Sequence, residues 1–139
     1  MSILAIKQEL ENQLDAAITT IAIKWSNTSV YTLNAVTLAQ NEIEALTVYI
    51  EPKIIPIQSP RELLSDANGV NYQVFFQIDI WIKKNAGTGN AYTINDALDT
   101  LYRDKSFSGV VCEQVDSLTS FELDEWVIFP VRVFARTWN

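Results

Sequence analysis

The sequence predicts an α+β domain in which two helices pack on one face of a mostly antiparallel four-stranded sheet, and three observations carry that expectation. The first is Val70 to Lys84, VNYQVFFQIDIWIKK, the longest alternating stretch of the chain. Val70, Tyr72, Val74, Phe76, Ile78, Ile80 and Ile82 share one face of an extended chain. Asn71, Gln73, Gln77, Asp79 and Lys83 share the other, together with the large aromatics Phe75 and Trp81. The second is a pair of segments with helical apolar spacing, and the third is a set of further alternating runs around them. The order helix, irregular segment, two strands, helix, two strands suits a single sheet with one helical layer.

The first helix starts at Ser2, a residue whose hydroxyl accepts from the first free amides of a helix. Ile3, Ile6, Leu10, Leu14, Ala17, Ile18 and Ile21 then follow helical spacing, with Lys7, Glu9, Glu11 and Asp15 around them. That describes an amphipathic helix of about five turns. Its polar face is acidic and amidic rather than basic, so it packs on the domain's own sheet rather than on a membrane. Trp25 to Asn41 is rich in Ser, Thr and Asn and poorly periodic, and reads as a long excursion with one short strand or turn.

From Leu46 alternation returns. Leu46, Val48, Ile50 and Ile54 oppose Thr47, Tyr49, Glu51 and Lys53, and Pro52 and Pro56 favour an edge or a strand end. Gln58 to Gly69 carries Pro60 and the turn pair Asn68-Gly69, and is either an arm that reaches a neighbour or a solvated loop. Asn85 to Asn90, NAGTGN, has no Lys-Ser/Thr pair after its glycines and no dinucleotide fingerprint, so a turn and helix cap explain it better than a phosphate loop. Asn90 is the expected cap of a helix from Ala91 to Tyr102. Gly109 to Ser117 reads as the third strand and Glu122 to Trp138 as a long fourth, with Pro130 placing that strand on an edge or at a bulge.

Composition bounds the chemistry. The chain has 139 residues, 48% of them hydrophobic, enough for one packed domain. It has no histidine and one cysteine, so an internal disulfide and the usual Cys/His zinc sites are excluded. Cys112 lies in mid-strand with no base nearby and reads as a buried structural thiol. Asp96 and Asp99 form a solvated helix face, not a catalytic pair. The net charge of −7, with ten scattered basic residues, argues against broad contact with a phosphate backbone. No membrane span or secretory leader is expected, no cofactor or metal is called for, and no residue set makes an enzyme.

Two helices cover only one side of a long sheet. The other side then displays Phe75, Trp81, Ile128, Phe134 and Trp138, an apolar face that points to subunit contacts and a closed homo-oligomer. The candidate interface comprises Arg61, Glu62, Leu63, Leu64, Phe75, Trp81, Trp126, Arg132, Phe134 and Trp138.

The amphipathic first helix, the strand FQIDIWIKK, the loop GTGN opening a helix and the last strand VRVFARTW together resemble the tail terminator family of long-tailed bacteriophages, including the related small tail-completion proteins. The resemblance covers about Ser2 to Trp138, and the family's prolines before its first strand are missing from Trp25 to Asn41. It implies a virion protein that forms a ring, usually a hexamer, on the head-proximal end of the tail tube. Such a ring stops tube polymerisation and meets the head-tail connector or neck protein, and DNA passes through it without specific binding. An acidic lumen would repel phosphate, so Glu42, Glu44, Glu62, Asp66, Asp124 and Glu125 are candidates to line the channel or meet a partner. Two alternatives stay open on the residues alone: a head-side neck adaptor or stopper, and a small ligand-binding α+β domain.

Overall fold

The structure, a computed structural model, describes residues 2–57 and 72–137. Among the described residues nine strands form one mixed sheet, which overturns the expected four-stranded antiparallel one. In chain order the described elements are α1 (Ile3–Ala17), β1 (Ala22–Lys24), β2 (Tyr31–Leu33), β3 (Val36–Thr37), α2 (Gln40–Glu44), β4 (Val48–Ile57), β5 (Gln73–Lys83), α3 (Gly89–Tyr102), β6 (Lys105–Phe107), β7 (Val110–Ser117), β8 (Phe121–Leu123) and β9 (Trp126–Thr137). The strands lie in the order β3-β2-β1-β4-β5-β9-β7-β6, with β8 paired to β9 beside the end of β7.

The segment expected to be an irregular excursion supplies much of the difference. A two-residue turn at Asn34 and Ala35, both at positive φ, folds Tyr31–Leu33 back on Val36–Thr37 as a hairpin. That hairpin, with α2 after it, is a connection long enough to return the chain alongside β1, so β4 pairs with β1 in parallel. Every other ladder is antiparallel.

The first helix is shorter than its apolar spacing implied: Ser2 Oγ accepts from the Ala5 amide at 3.1 Å, and the helix stops at Ala17 because Ile18 turns extended. The other sheet-packing helix begins one residue before the expected Asn90 cap. Thr88 occupies the cap position with no side-chain bond, after Gly87 has turned the chain at φ +78°. The expected fourth strand is a hairpin instead, β8 and β9 joined through Asp124 and Glu125, with Asp124 at φ +56°.

Pro130 lies neither on an edge nor at a bulge. It sits in the interior of β9, opposite Asp79 in an unbroken register. The Leu118 amide donates to the Pro130 carbonyl at 2.9 Å, so both main-chain positions of Pro130 face β7. Its missing donor therefore falls beside Leu118 to Ser120, where the chain has left the ladder between β7 and β8. The bulge is in β7, between Cys112 and Val115.

The core lies between the sheet and the α1/α3 layer. Ile6, Leu10 and Leu14 of α1, and Ile94, Leu98 and Tyr102 of α3, bury against Val74, Phe76, Ile78, Ile80 and Ile82 of β5 and their neighbours on β9. Cys112 is fully buried in the same cluster, and burial pushes its thiol from 9.0 up to about 12. An unfolded chain releases that proton first, so the native state keeps this contribution below about pH 9 and loses it progressively as pH rises toward about 12. Urea midpoints measured across that window should fall, and Cys112→Ala should flatten the slope. Tyr102, held neutral by burial, adds a loss of the same sign at higher pH.

Candidate functional site

The sheet face turned away from α1 and α3 is where the sequence-predicted site residues gather. Register places Phe75 opposite Phe134, Trp81 opposite Ile128, Lys83 opposite Trp126 and Gln77 opposite Arg132, all on that face. β4 adds Tyr49 beside Trp81, and Glu51, Lys53 and Ile55 along the same side. The alternation of β5 and β9 thus brings together Phe75, Trp81, Trp126, Arg132 and Phe134. Ile128, expected on display, is on this face but is buried.

At the end of the sheet where β4 starts, four aromatic rings pack together. Tyr49 stacks on Trp81 at 5.4 Å, and both meet Trp126 edge-on at 5.2 and 6.1 Å. Tyr31 of β2 meets Tyr49 edge-on at 5.3 Å. These are favourable offset and T-shaped geometries. Burial, with Tyr31 beside it, pushes the Tyr49 phenol up, so it stays neutral. Lys83 Nζ sits 5.6 Å over the Trp126 ring. Toward the other end, Phe75 and Phe134 meet at 5.9 Å, with the Arg132 guanidinium 4.8 Å over Phe75.

Between the two aromatic groups runs a polar chain. Arg132 donates through Nε and Nη2 to Gln77 Oε1 at 3.1 and 2.7 Å, Gln77 Nε2 donates to Asp79 Oδ1 at 2.9 Å, and Lys53 pairs with Asp79 Oδ2 at 3.2 Å. Gln77 and Asp79 are 7% and 6% exposed, so the chain satisfies polar groups that the flanking side chains have largely cut off from water. Other charges on this face are paired within it: Lys24 with Glu51 at 2.9 Å and Arg136 with Glu113 at 2.8 Å.

Other candidates lie elsewhere. Glu42 and Glu44 are on α2, where Glu42 Oε1 accepts from the Ala39 amide and Glu44 Oε1 from Gln40. Asp124 and Glu125 form the β8–β9 turn, and Glu125 reaches Lys83 at 3.7 Å. Both groups lie toward one end of the central strands, since Thr47 O accepts from the Lys83 amide and Glu125 O from the Lys84 amide. Arg61, Glu62, Leu63, Leu64, Asp66 and Trp138, and the Gln58 to Gly69 excursion, are outside the described residues. The alternation of β5 had already put Gln77 and Asp79 on the face of Phe75 and Trp81; sequence reasoning missed Tyr49 and Lys53 as partners of that face. The alternation that put Tyr49 and Lys53 on the side of β4 away from Val48 and Ile50 was the available signal.

Among the described residues no group of three or more His, Cys, Asp or Glu side chains is placed to hold a metal ion, and no helix is long and apolar enough to cross a membrane. No protein-family model matches the chain, and no curated protein matches it. A solved structure of a protein named only by a sequence identifier shares the fold, with a TM-score of 0.67 and 18% identity over 100% of this chain and 97% of that one. At that identity the likeness speaks for the fold alone.

Proposed function

We propose that the chain is a structural subunit of a tail-terminator-like ring, seated on the head-proximal end of a phage tail tube, where it stops tube growth and joins the tail to the head connector. The observation that carries this reading is the helix-free face. It combines two aromatic groups with the ion pairs Lys53–Asp79, Lys24–Glu51 and Arg136–Glu113, which a second subunit can cover, and with the Arg132 guanidinium, held on the neutral Gln77 amide and over the Phe75 ring. The charge balance supports passage of DNA without specific binding. Among the described residues Lys7, Lys24, Lys53, Lys83, Lys84, Arg103 and Arg136 are in ion pairs while Lys105 and Arg132 are not, and with 17 acidic against ten basic residues in the chain the acids still dominate the surface field.

Light scattering on the purified protein, alone and with tail tube protein, tests the reading. A ring-sized mass, or a monomer that assembles on tubes and halts their growth, is the expected result. A monomer that ignores tubes overturns it, and so does one that binds purified connector but never tubes, which is the behaviour of a head-side adaptor.

A further inference from the structure

A second surface lies at the corner where β7 gives way to β8. Of the seven large apolar side chains exposed among the described residues, four are here: Tyr92, Leu118, Phe121 and Leu123, from 38% to 64% exposed. Tyr92 and Leu118 wall a cavity of about 230 Å³ whose floor is Ile80, Phe129, Pro130 and Val131. It opens because the chain leaves the ladder beside Pro130 while α3 passes above. Its polar rim, Asn95, Ser117 and Ser120, is uncharged, and Ser117 Oγ donates to Asn95 Oδ1 at 2.9 Å.

An engineered cavity of about 150 Å³ takes up benzene, while small-molecule sites begin at about 300 Å³. The space here therefore suits one substituted aromatic ring, the size of a buried anchor side chain at a protein interface.

The adjoining backbone is open as well. β8 pairs only with β9, β6 covers β7 only opposite Val110 to Cys112, and Arg103 Nη2 donates to the Val115 carbonyl at 2.7 Å, so the outer edge from Asp116 to Leu123 has no strand neighbour among the described residues. Phe121 and Leu123 sit opposite Ile128 and Trp126, on the helix-free face, whereas the cavity opens on the helical side. A strand added to this edge would send alternate side chains to the two faces, one into the cavity and the next onto Phe121 and Leu123.

Charge selects the occupant. The hairpin carries Glu122, Asp124 and Glu125. The carboxylates of Glu122 and Glu125 are 69% and 68% exposed and reach Lys84 and Lys83 only at 3.8 and 3.7 Å. A second copy, at −7, would bring more negative charge to an acidic rim.

We propose that this corner docks an extended basic segment of a different protein, which pairs with the β8 edge and places one aromatic side chain in the cavity. The inference stands apart from the ring reading, because a monomer binds such a segment equally well.

The test uses the full chain and two short fluorescein-labelled peptides, one with a central Trp flanked by lysines and the other with glutamates in place of the lysines, followed by anisotropy. The lysine peptide should bind saturably, and the glutamate peptide at least tenfold more weakly. The double variant Glu122→Lys/Glu125→Lys should lose at least tenfold for the lysine peptide, with its thermal midpoint showing the fold intact. Ser117→Phe, which fills the cavity from its rim, should abolish binding. Equal affinity for both peptides, or no saturation by the lysine peptide at millimolar concentration, overturns the proposal. A wild-type oligomer that Leu118→Ser dissociates also overturns it, since copies of the chain would then occupy the corner.

Discussion

Tyr102→Ala is expected to destabilise the protein by about 3–5 kcal/mol, with Tyr102→Phe accounting for about 1–2 kcal/mol of it. Tyr102 is fully buried at the end of α3, and its ring meets Phe76 of β5 at 5.7 Å and Phe107 of β6 at 6.1 Å. Its hydroxyl donates to the Leu10 carbonyl of α1 at 2.8 Å. One side chain thus ties both helices to the sheet. The Ala variant removes a fully buried ring packed between α1, β5 and β6, so a cavity contribution adds to the lost transfer free energy. The Phe variant keeps the volume, and its loss measures the hydrogen bond alone. Urea denaturation of the three proteins separates the two contributions. A Phe variant as unstable as the Ala variant would show that the hydroxyl, not the ring, joins the layers.

Asp79→Ala should lower stability by about 2 kcal/mol, most of it through Gln77 rather than through the ion pair. Lys53 is 42% exposed on its side chain and returns to water when its partner goes, so the pair itself is worth little. Gln77 is the exposed cost: its Nε2, at 7% residue exposure, loses its acceptor and has no solvent to replace it. Asp79→Asn, which keeps an acceptor oxygen, should stay within about 1 kcal/mol of the wild type. The double variant Gln77→Leu/Asp79→Leu should be less destabilised than Asp79→Ala, because both ends of the buried bond are removed together and Arg132 is only half-buried. Equal losses for Asp79→Asn and Asp79→Ala would instead place the stability in the charge.

The same residues mark how far the chain's pattern could be read. Strict alternation from Val74 to Ile82 is a local property of extended backbone, and with the matching run on β9 it assigned every side chain of the central ladder to a face before any partner was known. The helical spacing of Ile6, Leu10 and Leu14, and of Ile94 and Leu98, likewise identified the layer that covers one face. The small strands β1, β2, β3, β6 and β8 were not legible, because at two or three residues they have no period to detect and exist only through their ladder neighbours.

What the sequence alone determined about this protein is therefore which faces of its long strands and of its two long helices are apolar, an aromatic second face on the central strands, and an acidic chain without the residues for Cys/His metal chemistry. It did not determine the fold class, which among the described residues is a nine-stranded mixed sheet rather than the expected four-stranded antiparallel one. Tertiary structure decided the number of strands, the parallel return of β4 beside β1, and the place of Pro130 in the interior of β9. It also decided which polar residues of the aromatic face bond one another and where the open corner lies. These depend on pairings between positions far apart in the chain, such as Arg132 with Gln77 and Pro130 with Leu118. No local spacing encodes them, since a strand's side-chain period fixes its faces and leaves its neighbours to be chosen by the packing of the whole sheet.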